Sequence, residues 1–179
     1  MIIARGGRPS TRILLLGFIG LMSFFASASV KCSRLAINRS SLFICDIQER
    51  FRPAIHKFDS IAVRTAFLTR CCQELQIPII ITEQNPKALG PTVHEIKDVL
   101  DESKAKIFPK MQFSMLTPEV EDALTGNQII LCGIESHVCV LQTALDLIEK
   151  GHEVHLVCDA ISSIRSADSL QPVQFGFLI

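Results

Sequence analysis

The chain has 179 residues, of which 48% are hydrophobic and 20% charged, with 18 basic side chains against 18 acidic ones. That length and apolar content suit one domain with a real core and exclude a disordered chain. The charge balance supplies no basic field for nucleic acid or an anionic membrane, and with no Trp or Tyr a base-stacking platform would rest on Phe and His alone.

The first element in chain order reads as a targeting segment. Arg5, Arg8 and Arg12 precede an apolar run over residues 13–25, and Ala26-Ser27-Ala28 resembles a signal-peptidase site. No acidic residue precedes Asp46, and the run is short for a membrane span. A secretory signal at 1–28, a mitochondrial presequence and a gene-model artefact are the three readings. Asn38-Arg39-Ser40 matches the glycosylation sequon. The seven cysteines (Cys32, Cys45, Cys71, Cys72, Cys132, Cys139, Cys158) argue the other way. They are odd in number and lack paired C-x-x-C spacing, so neither a disulfide framework nor a Cys-based zinc site is expected. That usage favours an intracellular compartment, cytoplasmic or mitochondrial. Residues 1–39 are therefore set apart from the fold.

From Ser40 onward, strand-like and helix-like periods alternate. A strand over 42–47 leads to a helix over 61–75, with Ile61, Phe67, Leu68, Cys71 and Leu75 taken as its inner face. The isoleucine run at 77–82 reads as a parallel strand buried on both faces. A loop over 83–91 precedes a short helix at 92–100, with Thr92 and Glu95 in capping-box spacing. A strand at 105–108 follows, then a helix at 117–124 with Thr117 as N-cap and Pro118 at its first position. Residues 128–132 form the fourth strand, and Cys139 opens a helix running to Lys150 that Gly151 stops. The fifth strand spans 153–158 and ends at Asp159. This alternation predicts an α/β fold: a parallel sheet of about five strands with helices on both faces. Residues 40–166 form the domain. The tail, 167–179, ends in Phe175-Gly176-Phe177-Leu178-Ile179 and reads as an apolar segment packed on the sheet or as a truncation.

In such sheets ligands bind beyond the carboxyl ends of the strands, where strand order reverses. Asp46 ends the first strand, Lys110 follows the third and Cys139 follows the fourth. With strand order 3-2-1-4-5, Asp46 and Cys139 share one crevice. A cysteine at a helix N-terminus meets unpaired N–H groups and a positive dipole, which favour the nucleophilic thiolate. Asp46 can accept its proton and Lys110 can stabilise charge. Backbone N–H groups of Cys139 and of the Ile134-Glu135 turn are candidates for an oxyanion hole. Each residue also has a plainer reading. Cys139 would be a buried helix cysteine, Asp46 a loop-capping carboxylate, Lys110 a solvated surface lysine and His137 a polar turn residue. Gln48, Glu83, Gln84, Phe113 and His137 are the tentative substrate contacts, with Phe51 a further candidate for the pocket rim. His56, His94, His152 and His155 lack ligand spacing, and most of the Phe residues, Phe67 and Phe108 among them, are assigned to the core.

Five motifs in order resemble the cysteine-hydrolase, or isochorismatase-like, superfamily, in its isochorismatase domain-containing branch. They are Cys45-Asp46-Ile47-Gln48; the loop from Thr82 to Val93; Lys110 ahead of Phe113-Ser114; Gly133-Ile134-Glu135-Ser136-His137-Val138-Cys139; and Val157-Cys158-Asp159-Ala160-Ile161-Ser162-Ser163. The resemblance covers Ser40 to about Ser166. It implies a Rossmann-like three-layer sheet, an Asp–Lys–Cys triad at Asp46, Lys110 and Cys139, and a cis peptide before Glu135 that aims its N–H into the oxyanion hole. Nicotinamidases of this superfamily carry a D-x-H metal motif after the second strand. Here that place holds Thr82-Glu83-Gln84-Asn85, so neither metal nor other cofactor is expected. Relatives continue into a sixth strand that this chain lacks, which would leave the fifth as an open edge.

Several readings of function follow. The first is metal-independent hydrolysis of a small amide or related C–N bond through a Cys139 thioester, by a homo-oligomer without nucleic-acid partners or a membrane-spanning domain. The second is cleavage of a vinyl ether, which needs no thiol. The third is a catalytically silent truncated isoform that binds or oligomerises. Redox sensing by Cys139 is a fourth.

Overall fold

The computed structural model describes residues 34–165, so the targeting-like reading of the first residues and the reading of the tail lie outside the described part. Among the described residues no helix is long and apolar enough to cross a membrane. The strands are β1 (Ser40–Cys45), β2 (Ile79–Gln84), β3 (Ala105–Lys110), β4 (Gln128–Ile134) and β5 (Glu153–Ser162). The α-helices are α1 (Phe58–Glu74), α2 (Pro86–Leu89), α3 (His94–Lys97), α4 (Pro118–Ala123) and α5 (Leu141–Glu149). Every strand pair is parallel, in the order β3-β2-β1-β4-β5, as the alternation of elements predicts.

The two central strands explain the layers. Every residue of β1 and β4 is buried, the signature of strands covered on both faces. Alternation then sorts their side chains. Leu42, Ile44, Ile130, Cys132 and Ile134 join Ile79 and Ile81 in a core under α1 and α3. Phe43, Cys45, Ile129 and Leu131 join Ile80 in a second core under α4 and α5. Cysteines one strand position out of phase thus serve opposite faces, which matters below for Cys45 and Cys132.

Helix α1 corrects the sequence reading of its inner face. Phe67 is 70% exposed and Leu75 is 48% exposed, while Ile61, Ala62, Thr65, Ala66, Thr69 and Cys72 are buried. Small residues line the contact, so the helix backbone approaches the sheet closely and the bulky Phe67 is left outside. The Thr69 hydroxyl donates to the Thr65 carbonyl at 2.8 Å, which lets a polar residue sit in that face. The capping box expected at Thr92 is also absent: Val93 occupies the N-cap of α3 without a side-chain bond, and the Thr92 hydroxyl donates to Glu83 instead. Thr117 does cap α4, accepting from the Val120 N–H.

Four strands run further than their sequence signals, β2 among them, which ends at Gln84 instead of Thr82. β3 continues through Pro109 to Lys110, a position for proline that an edge strand tolerates. β4 continues through Gly133 to Ile134. β5 runs to Ser162 through a break in register in which Leu131 and Gly133 face Leu156 and Ile161. Two steps on β4 therefore match five on β5, a bulge that carries Ser162 and Ser163 to the end of β4. β5 is outermost among the described strands.

Gly133 makes the centre of this arrangement possible. Its φ is +140°, and a Cβ there would stand 2.5 Å from the Cβ of Cys45. Gly133→Ala is expected to lower unfolding stability by about 2–4 kcal/mol, from backbone strain plus overpacking, as read in urea denaturation.

Candidate active site

The site is built where β1, β2, β3 and β4 end. Asp46 leaves β1 in the left-handed region, with φ of 55°. Such a conformation costs free energy for a non-glycine residue and tends to persist at working sites. Its carboxylate is 1% exposed. Oδ1 accepts from the Thr82 hydroxyl at 2.8 Å, and Oδ2 accepts from Lys110 Nζ at 2.6 Å. The Lys110 ammonium is equally enclosed and also donates to Gln84 Oε1 at 2.8 Å and to the carbonyls of Gln112 at 3.0 Å and Phe113 at 2.9 Å. Four oxygens thus surround three hydrogens, so the cation is fully coordinated without water.

Cys139 approaches from the other side, and its setting departs from the sequence reading. The thiol sits inside a five-residue π-helical turn, Ser136–Val140, from which α5 continues. Such turns recur at functional sites. Cys139 is 6% exposed and belongs to the core under α5. The expected cis peptide before Glu135 is absent; no cis bond occurs among the described residues. The chain turns instead through Gly133 at φ +140° and Glu135 in the left-handed region at φ 59°, so rotation about soft dihedrals replaces a cis bond.

Two hydroxyls lock this turn. Ser163 Oγ, brought in by the β5 bulge, accepts from the Ser136 N–H at 2.9 Å and lies 2.7 Å from Ser136 Oγ and 3.1 Å from His137 Nδ1. The Thr143 hydroxyl donates to the Cys139 carbonyl at 2.6 Å and accepts from the Met115 N–H at 2.9 Å. Thr143 therefore ties the Cys139 turn to the segment that follows Lys110.

Cys45 links the two halves. Its thiol donates to Asp46 Oδ2 at 3.6 Å, and it belongs to the same buried core as Cys139. Burial pushes the Cys45 thiol well above its usual range; Cys139 and the Asp46 charge push the same way, while Lys110 opposes them. The sequence reading counted Cys45 among the seven cysteines and gave it no role of its own. The usable signal was strand parity, which places it opposite Cys132, but the face occupied by Cys139 depends on the turn after β4.

The remaining expected contacts fall into two groups. Gln84 touches Lys110, while Phe113 is 60% exposed and His137 stands at the surface of the Cys139 turn. Gln48 and Glu83 hold backbone instead. Gln48 is fully buried, donating to the carbonyls of Gln84 and Gly90 and accepting from the Gln84 N–H. Glu83 accepts from both N–H and hydroxyl of Thr92. An open hollow of about 530 Å³ beside β3 is walled by Lys110, Gln112, Thr117 and Pro86. Lys110 is the member of the buried pair that faces it; Asp46 and Cys139 do not line it.

For a metal, Glu49, His94 and Glu95 bring ligand atoms within 4.8 Å of one another. Both carboxylates already bind Arg52, Glu95 through two nitrogens at 3.0 Å, so an internal cation meets their charge. Hydrogen bonds from that guanidinium hold both carboxyls below the usual range.

The chain matches the isochorismatase domain over residues 40–171. It is 44% identical over 151 residues to a secreted isochorismatase effector of Phytophthora sojae, covering 81% of this chain and 72% of that one. It is 45% identical over 144 residues to isochorismatase domain-containing protein 2 of Xenopus laevis, covering 78% and 68% respectively. A solved structure described as MAR1 ribonuclease from Caenorhabditis elegans superposes with a TM-score of 0.77 at 44% identity, covering 79% of this chain and 74% of that one. The chain belongs to the isochorismatase family and has its hydrolase fold.

The enclosure of Asp46 sets an energetic test. Lys110→Met is expected to cost about 3–5 kcal/mol, because it strands a buried carboxylate. Asp46→Asn/Lys110→Met should recover part of that loss, measured by urea denaturation near neutral pH.

Proposed function

We propose that this member of the isochorismatase family is a metal-independent cysteine hydrolase acting on a small amide or related C–N bond. One observation carries the reading: a fully buried Lys110–Asp46 ion pair at 2.6 Å, bonded through Asp46 to Cys45, which shares its core with Cys139. A buried pair of this kind is poor stabiliser on its own account, and functional sites are where such pairs concentrate.

In this reading the Cys139 sulfur attacks the carbonyl carbon and its proton passes to Asp46. Backbone N–H groups at Glu135 and Cys139 receive the oxyanion. Asp46 returns the proton to the departing nitrogen, which leaves a thioester. Water, activated by the same carboxylate, then cleaves the thioester and restores the thiol. Lys110 fixes the orientation of Asp46 through the 2.6 Å contact. The residues at the end of β2 support the metal-free reading, since Glu83 is engaged by Thr92 and no histidine stands at Thr82-Glu83-Gln84-Asn85.

Vinyl-ether cleavage is the second reading; a thiol has no necessary part in it, which sets Cys139 against it. An RNA substrate, suggested by the name of the nematode neighbour, finds no basic surplus among 18 basic and 18 acidic residues. The homo-oligomer belongs to the same proposal, and Met111 at 74% and Phe113 at 60% exposure offer apolar surface near Lys110. A silent binding isoform is the outcome if the thiol proves inert.

Iodoacetamide near neutral pH is expected to label Cys139 stoichiometrically. Burial pushes Cys72 to about 11 and Cys132 to about 12, so both stay protonated and unlabelled. Asp46→Asn should slow Cys139 labelling by about tenfold or more, and Cys139→Ala should remove turnover on a panel of small amides. Labelling of Cys139 no faster than that of Cys71 sinks the proposal.

A further inference from the structure

A continuous run of hydrogen bonds leads from the ion pair to the Cys139 turn. Lys110 Nζ, bound to Asp46, also holds the carbonyls of Gln112 at 3.0 Å and Phe113 at 2.9 Å. The segment beyond is knitted to itself. The Gln112 side-chain amide donates to the Ser114 carbonyl at 3.3 Å and to the Leu116 carbonyl at 2.9 Å, and the Leu116 N–H donates to Ser114 Oγ at 3.2 Å. The Ser114 carbonyl shares its peptide group with the Met115 N–H, which donates to the Thr143 hydroxyl at 2.9 Å. That hydroxyl in turn donates to the Cys139 carbonyl at 2.6 Å. Met115 and Thr143 are fully buried, so water cannot stand in for either bond. Back-bonding to a carbonyl four residues earlier is common for a helical threonine and uses only its proton. Here the oxygen is used as well, by an amide 28 residues away. Ser163, the other hydroxyl on the turn, bonds its first residues, Ser136 and His137. Thr143 bonds the residue that carries the thiol.

We propose that Thr143 is a positioning residue for the Cys139 thiol: by tying the Cys139 carbonyl to the segment that Lys110 clasps, its hydroxyl sets where the turn stands relative to the Asp46–Lys110 pair. The proposal rests on the hydrolytic reading, in which Cys139 is the nucleophile and Asp46 receives its proton. Thr143 takes no part in making or breaking bonds and acts through Cys139 alone. Its importance comes from the turn itself, whose π-helical geometry and left-handed Glu135 leave the thiol on backbone that is not regular helix. Small displacements of a nucleophile from its base cost rate steeply, and a reacting group keeps its place only when the groups behind it are fixed. Valine is close to threonine in shape but has neither donor nor acceptor. Thr143→Val therefore releases the Cys139 carbonyl and strands the Met115 N–H, while serine keeps both bonds and loses only a methyl group.

The test is the rate of Cys139 alkylation by iodoacetamide in the full chain near neutral pH, read by peptide mass spectrometry. Buried Cys72 in the same digest reports any opening of the fold. Thr143→Val is expected to slow Cys139 about tenfold with Cys72 still unlabelled, and Thr143→Ser to stay within about twofold of the natural chain. Thr143→Ala, which also lacks the hydroxyl but favours the helix, repeats the measurement if the valine variant exposes Cys72. A purely structural threonine would add its effect to any other. Positioning against Asp46 predicts the opposite: in an Asp46→Asn background, Thr143→Val should slow Cys139 by less than about twofold more. Rates that multiply in the double variant, a serine variant as slow as the valine one, or valine and alanine variants as fast as the natural chain overturn the proposal and leave the hydrolytic reading standing. If Cys139 of the natural chain labels no faster than Cys71, the hydrolytic reading fails and takes this inference with it.

Discussion

The ion pair between Lys110 and Asp46 is the constraint that organises this molecule. Two opposite charges lie at 2.6 Å with essentially no exposure to water. Desolvating them is costly, and only dense coordination offsets that cost. Thr82 and Cys45 complete the carboxylate, while Gln84, Gln112 and Phe113 complete the ammonium. These partners arrive from β1, β2, β3 and the segment after β3. Once the pair is enclosed, the ends of three strands have a fixed mutual register.

The fold was legible in the sequence because its signals are strong ones. Continuous isoleucine runs mark doubly buried strands, and alternation of strands and helices leaves few topologies other than the parallel sheet. The boundaries failed where tertiary contacts decide them. Pro109 reads as a stop, yet an edge strand accepts it. Thr92 and Glu95 have capping-box spacing, but Glu83 and Arg52 bind them more favourably. On α1 the hydrophobicity of Phe67 and Leu75 misleads, since close packing on a sheet selects Ala62, Thr65 and Ala66 for their size.

The site was legible by position and opaque in its connections. Asp46, Lys110 and Cys139 are readable because each follows a strand at its carboxyl end. Cys45 was missed because buried cysteines are commonly inert, and parity shows its face only once the face of Cys139 is known. Thr143 and Ser163 were missed because their hydroxyls accept from amide groups across the fold, 28 and 27 residues away in sequence. Gln48 and Glu83 looked like pocket residues because polar side chains at strand ends often are. Here they satisfy backbone groups of the loop between β2 and α3.

Lys110 sits on the outermost strand of one side of the sheet, 64 residues from the carboxylate it neutralises. The order of folding follows from that placement. β1, β2 and β3 are neighbours both in the sheet and in the sequence, so the ion pair rests on the half of the sheet whose contacts are the more local. β4 pairs with β1 across all of the intervening chain, Gln128 opposite Ser40, and contact order makes that ladder the slow one to close. The charge pair is thus neutralised within the first three strands, and the arrival of β4 brings the Cys139 turn to a platform already set.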